Sequence, residues 1–213
     1  MIRKPVVAGQ FYPEKKEELQ SMIDFCFNHK FGPSTYSINP DEKIFGIICP
    51  HAGYVYSGPI ASYSYKSISS QIPEIAIIIG PNHFGIGTDA ATMVDADWET
   101  PLGTVSVDSE SALDAVKNSE IIEVDNYSHS QDHSLEVQIP FLQSIFDKKF
   151  KILPIILRAQ DMITAKDVGN TVYEIAKKKK SIVIGSPDCT TKPERKIRLL
   201  IINNRCCTSV CHN

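Results

Sequence analysis

The sequence predicts an α/β fold, with a central mixed or mostly parallel sheet flanked by helices. Short apolar runs, each long enough for a buried strand, alternate with longer segments of helical periodicity. The chain has 213 residues, of which 42% are hydrophobic and 22% are charged, and this composition supports one substantial core. No internal repeat or linker divides the sequence, so we expect a single domain.

In the first half of the chain, a helix is expected over 13–30, where apolar residues recur on one face. The apolar run 44–49 predicts a buried strand. A second helix is expected over 57–69, with Pro59 at its first helical position. The unbroken apolar block 75–79 ends at a Gly-Pro pair and predicts another buried strand.

The later elements follow the same alternation. Strands are expected at 91–94, 104–107, 150–157 and 181–185, and helices at 109–118, 134–146 and 165–179. A loop that carries Trp98 is expected between the first two of these strands. Pro140 either kinks the helix over 134–146 or marks its true start, because proline cannot donate a helical hydrogen bond.

Composition and charge argue against several classes of protein. No apolar run reaches 18 residues, so we expect no membrane span, and the first residues lack the apolar stretch of a secretory signal. A net charge of −3 argues against nucleic acid as the main partner. The sequence has neither a phosphate-binding glycine loop nor a Gly-x-Ser-x-Gly elbow. We therefore expect a cytoplasmic protein with a small-molecule or peptide ligand, which could also form oligomers.

The last 25 residues differ from the rest of the chain. Four of the six cysteines lie there, and the segment carries a net charge of +4 against −7 for residues 1–188. We therefore predict a domain over 1–188 and a separate tail over 189–213.

Polar side chains follow three of the predicted strands. His51 comes after the run 44–49, His83 after 75–79, and Asp188 after 181–185. Because the carboxyl ends of parallel strands meet at one edge of a sheet, we expect these side chains to share a rim. Neighbouring glycines and prolines fit tight turns there.

This arrangement has two interpretations. A histidine after a strand is usually a turn or core residue with a hydrogen-bond partner, but two at equivalent positions favour a metal site. Imidazoles combined with carboxylates suit iron(II), zinc or copper, and zinc hydrolysis is also compatible with them. His133 and Glu136 lie three residues apart, so they either form a capped first helical turn or leave His133 as an acid/base or substrate-orienting group beside the metal. His129 is expected to be exposed.

Four motifs carry a family resemblance. They are RKPVVAGQFYP from Arg3, PHAGYVYSG from Pro50, GPNH from Gly80 and DHSLEVQIPFL from Asp132. In this order the chain resembles the Memo family, whose prokaryotic members are also labelled AmmeMemoRadiSam system protein B. The resemblance extends from Arg3 to about Asp188.

The resemblance implies a fold shared with class III extradiol ring-cleavage dioxygenases, which use non-haem iron(II). It implies that His51 and His83 are metal ligands and that His133 and Asp188 line the same pocket, where we expect them to be catalytic. The expected cofactor is a divalent metal, with iron(II) ahead of copper or zinc. The family is associated with metal binding and redox chemistry, and its animal members with phosphotyrosine-peptide binding and cell motility.

The chain departs from the family pattern after Asp188. The family continues Ser-x-Asp-x-x-His, and a later cysteine supplies a third ligand, whereas Thr191 stands at the histidine position here. We expect a truncated or frame-shifted end. The alternative is a natural short variant that uses a residue of its own tail, namely Cys206, Cys207, Cys211 or His212. Because two imidazoles alone hold a divalent ion poorly, the first case predicts weak metal binding, an exposed sheet and reduced stability.

Three functions are compatible with these residues. The first is a metal-dependent oxidoreductase of unknown substrate. The second is a non-catalytic ligand- or peptide-binding protein with a vestigial metal site. The third is a metal-dependent hydrolase.

Overall fold

The computed structural model describes residues 1–37, 39, 43–147 and 150–188. The predicted tail 189–213, including Thr191 and the four cysteines, lies outside the described residues, so the predictions about it stay predictions. Over the described part of the chain, no helix combines the length and the hydropathy that are needed to cross a bilayer.

Nine strands and five α-helices make up the described chain. The strands are β1 (Ile2–Arg3), β2 (Gly46–Ile48), β3 (Ile75–Pro81), β4 (Ala90–Thr92), β5 (Asp97–Thr100), β6 (Gly103–Ser106), β7 (Ile122–Val124), β8 (Lys151–Leu157) and β9 (Ser181–Gly185). The helices are α1 (Lys16–Asn28), α2 (Tyr54–Ile68), α3 (Ser109–Asn118), α4 (Ile139–Phe146) and α5 (Met162–Lys178). Two short 3-10 turns lie at Tyr127–His129 and Glu136–Gln138.

The main sheet has six strands in the order β2-β9-β3-β8-β4-β7. All neighbouring strands run parallel except β4 and β8, which are antiparallel. A second sheet of three strands, in the order β1-β5-β6, carries the N-terminus. The predicted α/β fold with a mixed sheet is confirmed, and the parallel strands β2, β9, β3 and β8 place their carboxyl ends at one edge.

The core lies along the two central strands. Residues 75–78 of β3 and 152–156 of β8 are buried almost without interruption, as expected for parallel strands that are covered on both faces. Helix α1 packs on α2 and α4, and α3 packs on α5. An apolar groove of about 310 Å³ stays open at the sheet edge, lined in part by Ile48, Ile79 and Leu157.

The sequence suggested that two helices begin with a proline in the first turn, but only one of them does. Helix α2 begins at Tyr54, so the prediction that Pro59 occupies the first helical position is wrong. The chain turns into the helix immediately after Gly53, because the Tyr54 N–H donates to the Phe11 carbonyl and is satisfied from outside the helix. Pro140, in contrast, lies in the first turn of α4, which confirms that it marks the true start of that helix.

Three strands were not expected. Strands β1 and β7 were not predicted, and the segment around Trp98, which was expected to be a loop, forms β5. In β5 buried and half-buried residues alternate, and it pairs with β1 on one side and β6 on the other. The polar residues Asp97 and Glu99 conceal this alternation from a reading of apolar runs alone.

Candidate metal site

Three histidine rings converge above the carboxyl edge of the main sheet. His51 follows β2, His83 follows β3, and His133 precedes the 3-10 turn at Glu136–Gln138. The ring centroids lie 5.0 Å apart for His51 and His83, 5.4 Å for His51 and His133, and 4.7 Å for His83 and His133. One ligand atom from each ring lies within 4.8 Å of the others, a spacing that suits a shared metal ion. The prediction that the rings of His51 and His83 meet above one edge of the sheet is confirmed.

The orientation of His51 is set by the end of β9. Its Nδ1 lies 2.9 Å from the Ser186 carbonyl oxygen and 3.2 Å from Ser186 Oγ. Since a carbonyl only accepts, Nδ1 carries the proton and donates. The other nitrogen, Nε2, points to Asp188, with Oδ1 at 2.9 Å.

His83 is held in the same way by a carboxylate. One oxygen of Asp132 accepts both the His83 backbone N–H, at 2.6 Å, and Nδ1 of the ring, at 3.0 Å. Burial alone would raise the pKa of Asp132, but hydrogen bonds from the Ser134 and His83 backbone outweigh it and hold that pKa below its usual value. Asp132 is therefore an anion that fixes the ring and leaves Nε2 of His83 facing Asp188.

Asp188 lies at the mouth of the site. Its carboxylate is 2.9 Å from Nε2 of His51 and 3.4 Å from Nε2 of His83, and its side chain is 71% exposed. Partial burial alone would raise the pKa of Asp188. The charges of His51 and His83 and their hydrogen bonds to the carboxylate outweigh this effect, so the pKa lies below its usual value. A negative charge thus faces two ring nitrogens at a point where a cation would be stabilised.

His133 completes the cluster from a different part of the chain. Its ring stacks on His83 at an interplanar angle of 15° and contacts Phe11 at a centroid distance of 4.4 Å. Burial lowers the pKa of His133, and the nearby His83 and His51 lower it further, although Asp132 opposes them. A neutral imidazole, the form that binds a metal, is therefore favoured at neutral pH.

Glu136 does not belong to this site. Its carboxylate is fully buried and turns to the N-terminal segment, where it accepts hydrogen bonds from Arg3, Val6, Val7 and Tyr12. Glu136 therefore does not form a capped first turn with His133, and the acid/base or substrate-orienting role of His133 stays a prediction.

His129 is buried, so the prediction that it is exposed is wrong. Its Nε2 donates to the Ala91 carbonyl at 3.2 Å, and its ring lies edge-on to Trp98. Burial lowers the pKa of His129 to about 3, so it stays neutral inside the protein.

Sequence reasoning also missed the residues that support the rings. Asp132 accepts from His83, Ser186 accepts from His51, and Gln138 donates to Ser186. Neither Ser186 nor Gln138 was selected as a candidate, and Asp132 was noted only as the start of the polar segment that contains His133. Asp132 and Gln138 lie inside the motif that begins at Asp132, and Ser186 is two residues before Asp188. A search for hydrogen-bond acceptors within two residues of each candidate would have found Asp132, next to His133, and Ser186, close to Asp188.

Comparison with known proteins gives matches that agree on one family. A family model described as Memo-like protein matches residues 3–196, a range that extends past Asp188. A MEMO1 family protein of Nitrosopumilus maritimus (strain SCM1) is 64% identical over 190 residues, which cover 89% of this chain and 69% of that protein. MEMO1 family proteins of Methanocaldococcus jannaschii and Methanopyrus kandleri are 43% and 42% identical, with the same coverage of 89% and 69%.

Proposed function

Since the chain belongs to the Memo-like protein family, we propose that it binds a divalent transition metal through His51, His83 and His133 and acts as an oxidoreductase. The observation that carries the proposal is the convergence of three imidazoles from separate parts of the chain. Iron(II) is the expected metal, with copper or zinc as alternatives. These metals accept imidazole ligands readily.

The residues present fit such an ion. Nδ1 of His51 and Nδ1 of His83 both donate to protein acceptors, which leaves each Nε2 facing Asp188 on the side where a metal would bind. Hydrogen bonds of this kind fix the ring and make the ligand nitrogen more basic. The expectation of weak metal binding assumed two imidazoles alone, whereas the described chain brings a third within reach.

The surrounding residues have separable roles in this proposal. Iron(II) or copper would supply one-electron chemistry with oxygen, which zinc cannot. Asp188, anionic and exposed, would accept a proton at its carboxylate or add a further oxygen donor. His133, expected from the sequence to be an acid/base group, is assigned here as the third ligand. Phe11, whose ring centroid lies 4.4 Å from that of His133, would shield the imidazole from water.

Metal binding is tested by anaerobic titration of iron(II) and, separately, of zinc, with the bound ion measured after gel filtration. We expect one ion per chain in the wild type, and loss of that ion in His51→Ala, His83→Ala and His133→Ala. His29→Ala is the matched control, because His29 lies at the end of α1, outside the cluster. A wild type without bound metal, or a His51→Ala variant that binds equally well, would refute the site.

The class of activity is tested by oxygen uptake. Iron(II)-loaded protein with ascorbate as the electron donor should consume oxygen faster than the same concentration of free iron(II). His51→Ala should reduce the rate to the level of free iron, and His29→Ala should not. Retained metal without oxygen uptake would favour a binding protein for a small molecule or peptide, and zinc-dependent ester hydrolysis without oxygen would favour a hydrolase.

A cytoplasmic location forms part of the proposal. Among the cysteines of the described residues, Cys26 is buried and forms no disulfide. Free thiols are typical of a reducing compartment, where iron(II) also stays reduced.

A further inference from the structure

Gln138 lies at a junction beneath the histidine cluster. The side chain is 1% exposed, and its Nε2 donates to Ser186 Oγ at 2.7 Å and to the Pro50 carbonyl at 3.2 Å. Its amide oxygen accepts from the Tyr65 hydroxyl. Because Nε2 faces a backbone carbonyl and the amide oxygen faces a hydroxyl, the orientation of the amide is fixed. Gln138 thus fastens the residue before His51 to the end of β9.

Ser186 extends this connection to His133. Its hydroxyl donates to the Ser134 carbonyl at 2.6 Å, and therefore it can only accept from Gln138. The same oxygen lies 3.2 Å from Nδ1 of His51. Three segments, which carry His51, His133 and Asp188, are joined at this buried hydroxyl.

His83 is tied to His133 by a different route. The His83 backbone N–H and Nδ1 both donate to Asp132, the neighbour of His133 in sequence, while Nε2 faces Asp188. No described hydrogen bond links His83 to Gln138 or Ser186. The cluster therefore has two supports, one for His83 and one for His51.

We infer that Gln138, acting through Ser186, is a positioning residue that sets His51 relative to His133 and His83. The amide does not reach the cavity itself, so its effect is on geometry. The consequence for metal affinity rests on the proposed function, whereas the geometric claim does not require a metal.

The geometric claim is tested on metal-free protein by nuclear Overhauser contacts between the histidine ring protons. We expect Gln138→Met to weaken the contacts of His51 with His133 and with His83 but to leave the contact between His83 and His133 unchanged. Ser186→Ala, which removes only the hydroxyl, should give the same selective pattern and serves if Gln138→Met does not fold.

Gln143 provides the matched control. It is also a buried glutamine with two hydrogen bonds, from Thr100 Oγ1 at 2.6 Å and to the Gly103 carbonyl at 3.0 Å, but it supports the turn between β5 and β6. Gln143→Met should lower stability without changing any contact between the histidines.

The consequence for metal binding is tested with cobalt(II), whose visible spectrum reports ligand geometry, and with zinc, whose affinity can be measured by competition. Gln138→Met should alter the cobalt spectrum and weaken zinc binding by about 10- to 100-fold, as is typical for residues that orient a ligand. Gln143→Met should do neither.

The outcomes separate the two proposals. Unchanged ring contacts in both Gln138→Met and Ser186→Ala would overturn the positioning role, whatever the metal result. Equal weakening of all three contacts would overturn it as well, since it predicts a selective loss. If the His51 contacts are lost selectively in the two variants and the wild type binds no metal, the positioning role is supported and the proposed function is refuted.

Discussion

At the level of single residues, Glu136 and Arg3 form a buried ion pair that joins the N-terminus to the segment after His133. Their closest atoms are 2.7 Å apart, and both side chains are almost fully buried. Arg3 also donates to the carbonyls of His129 and Asp132 and lies over the Trp98 ring. The pair therefore helps to place Asp132, the residue that orients His83.

Glu136→Gln should lower the free energy of unfolding by about 3 to 5 kcal/mol, because it leaves the Arg3 charge buried without its partner. Urea unfolding measures the change. Glu99→Gln, at the exposed pair with Lys4, is the control and should cost less than about 1 kcal/mol. A Glu136→Gln variant as stable as Glu99→Gln would contradict the interpretation.

His129 predicts a pH effect on stability. Its pKa falls from 6.5 to about 3 on folding because of burial, so the unfolded chain binds a proton that the native protein does not. The stability that neutral His129 contributes is fully present above pH 6.5. As the pH falls from 6.5 toward 3, the free energy of unfolding decreases by roughly 1 kcal/mol per pH unit. His129→Gln should lack this loss. If the difference in unfolding free energy between wild type and variant stays constant from pH 7 to pH 4, the prediction is wrong.

At the level of elements, α1 and α2 pack closely because one residue of α2 has no side chain. A Cβ atom at Gly58 would lie 2.4 Å from Sγ of Cys26 in α1. Glycine at this position therefore allows the close contact between the two helices, and Tyr54, at the start of α2, lies beside the same contact.

Gly58→Ala should reduce the free energy of unfolding by roughly 1 to 3 kcal/mol through overpacking, despite the better helix propensity of alanine. Adding Cys26→Ala removes the clashing sulfur. The double variant should thus be more stable than the sum of the single changes predicts, by at least about 0.5 kcal/mol in a double-mutant cycle. Simple additivity of the two changes would argue against a direct contact.

At the level of the whole molecule, the three histidines link segments that lie far apart in the sequence. A metal that binds only the native arrangement should stabilise the entire fold, by about 3 kcal/mol at a free concentration 100 times its Kd. Thermal unfolding with and without zinc measures this, and a chelator should reverse it. An equal rise in the His83→Ala variant would indicate binding elsewhere.

The convergence of the site residues at one sheet edge could be predicted from the sequence, but the buried residues that hydrogen-bond to them or pack around them could not. Polar residues after buried apolar runs indicate the carboxyl edge of a parallel sheet, and this placed His51, His83 and Asp188 together. The burial of His129, the turn of Glu136 away from His133, and the contacts of Gln138 depend on partners that are distant in sequence. Arg3 and Glu136, for example, are separated by 133 positions, and no local pattern specifies such a pair.

The position of β9 has a consequence for synthesis. It is the final strand of the described chain, yet it lies between β2 and β3, which are made much earlier. While a nascent polypeptide is emerging from the ribosome, those two strands have no shared neighbour and keep hydrogen-bonding edges that other chains could join. Completion of the sheet must therefore wait until β9 has been synthesised, and we expect a strong dependence on chaperones during that interval.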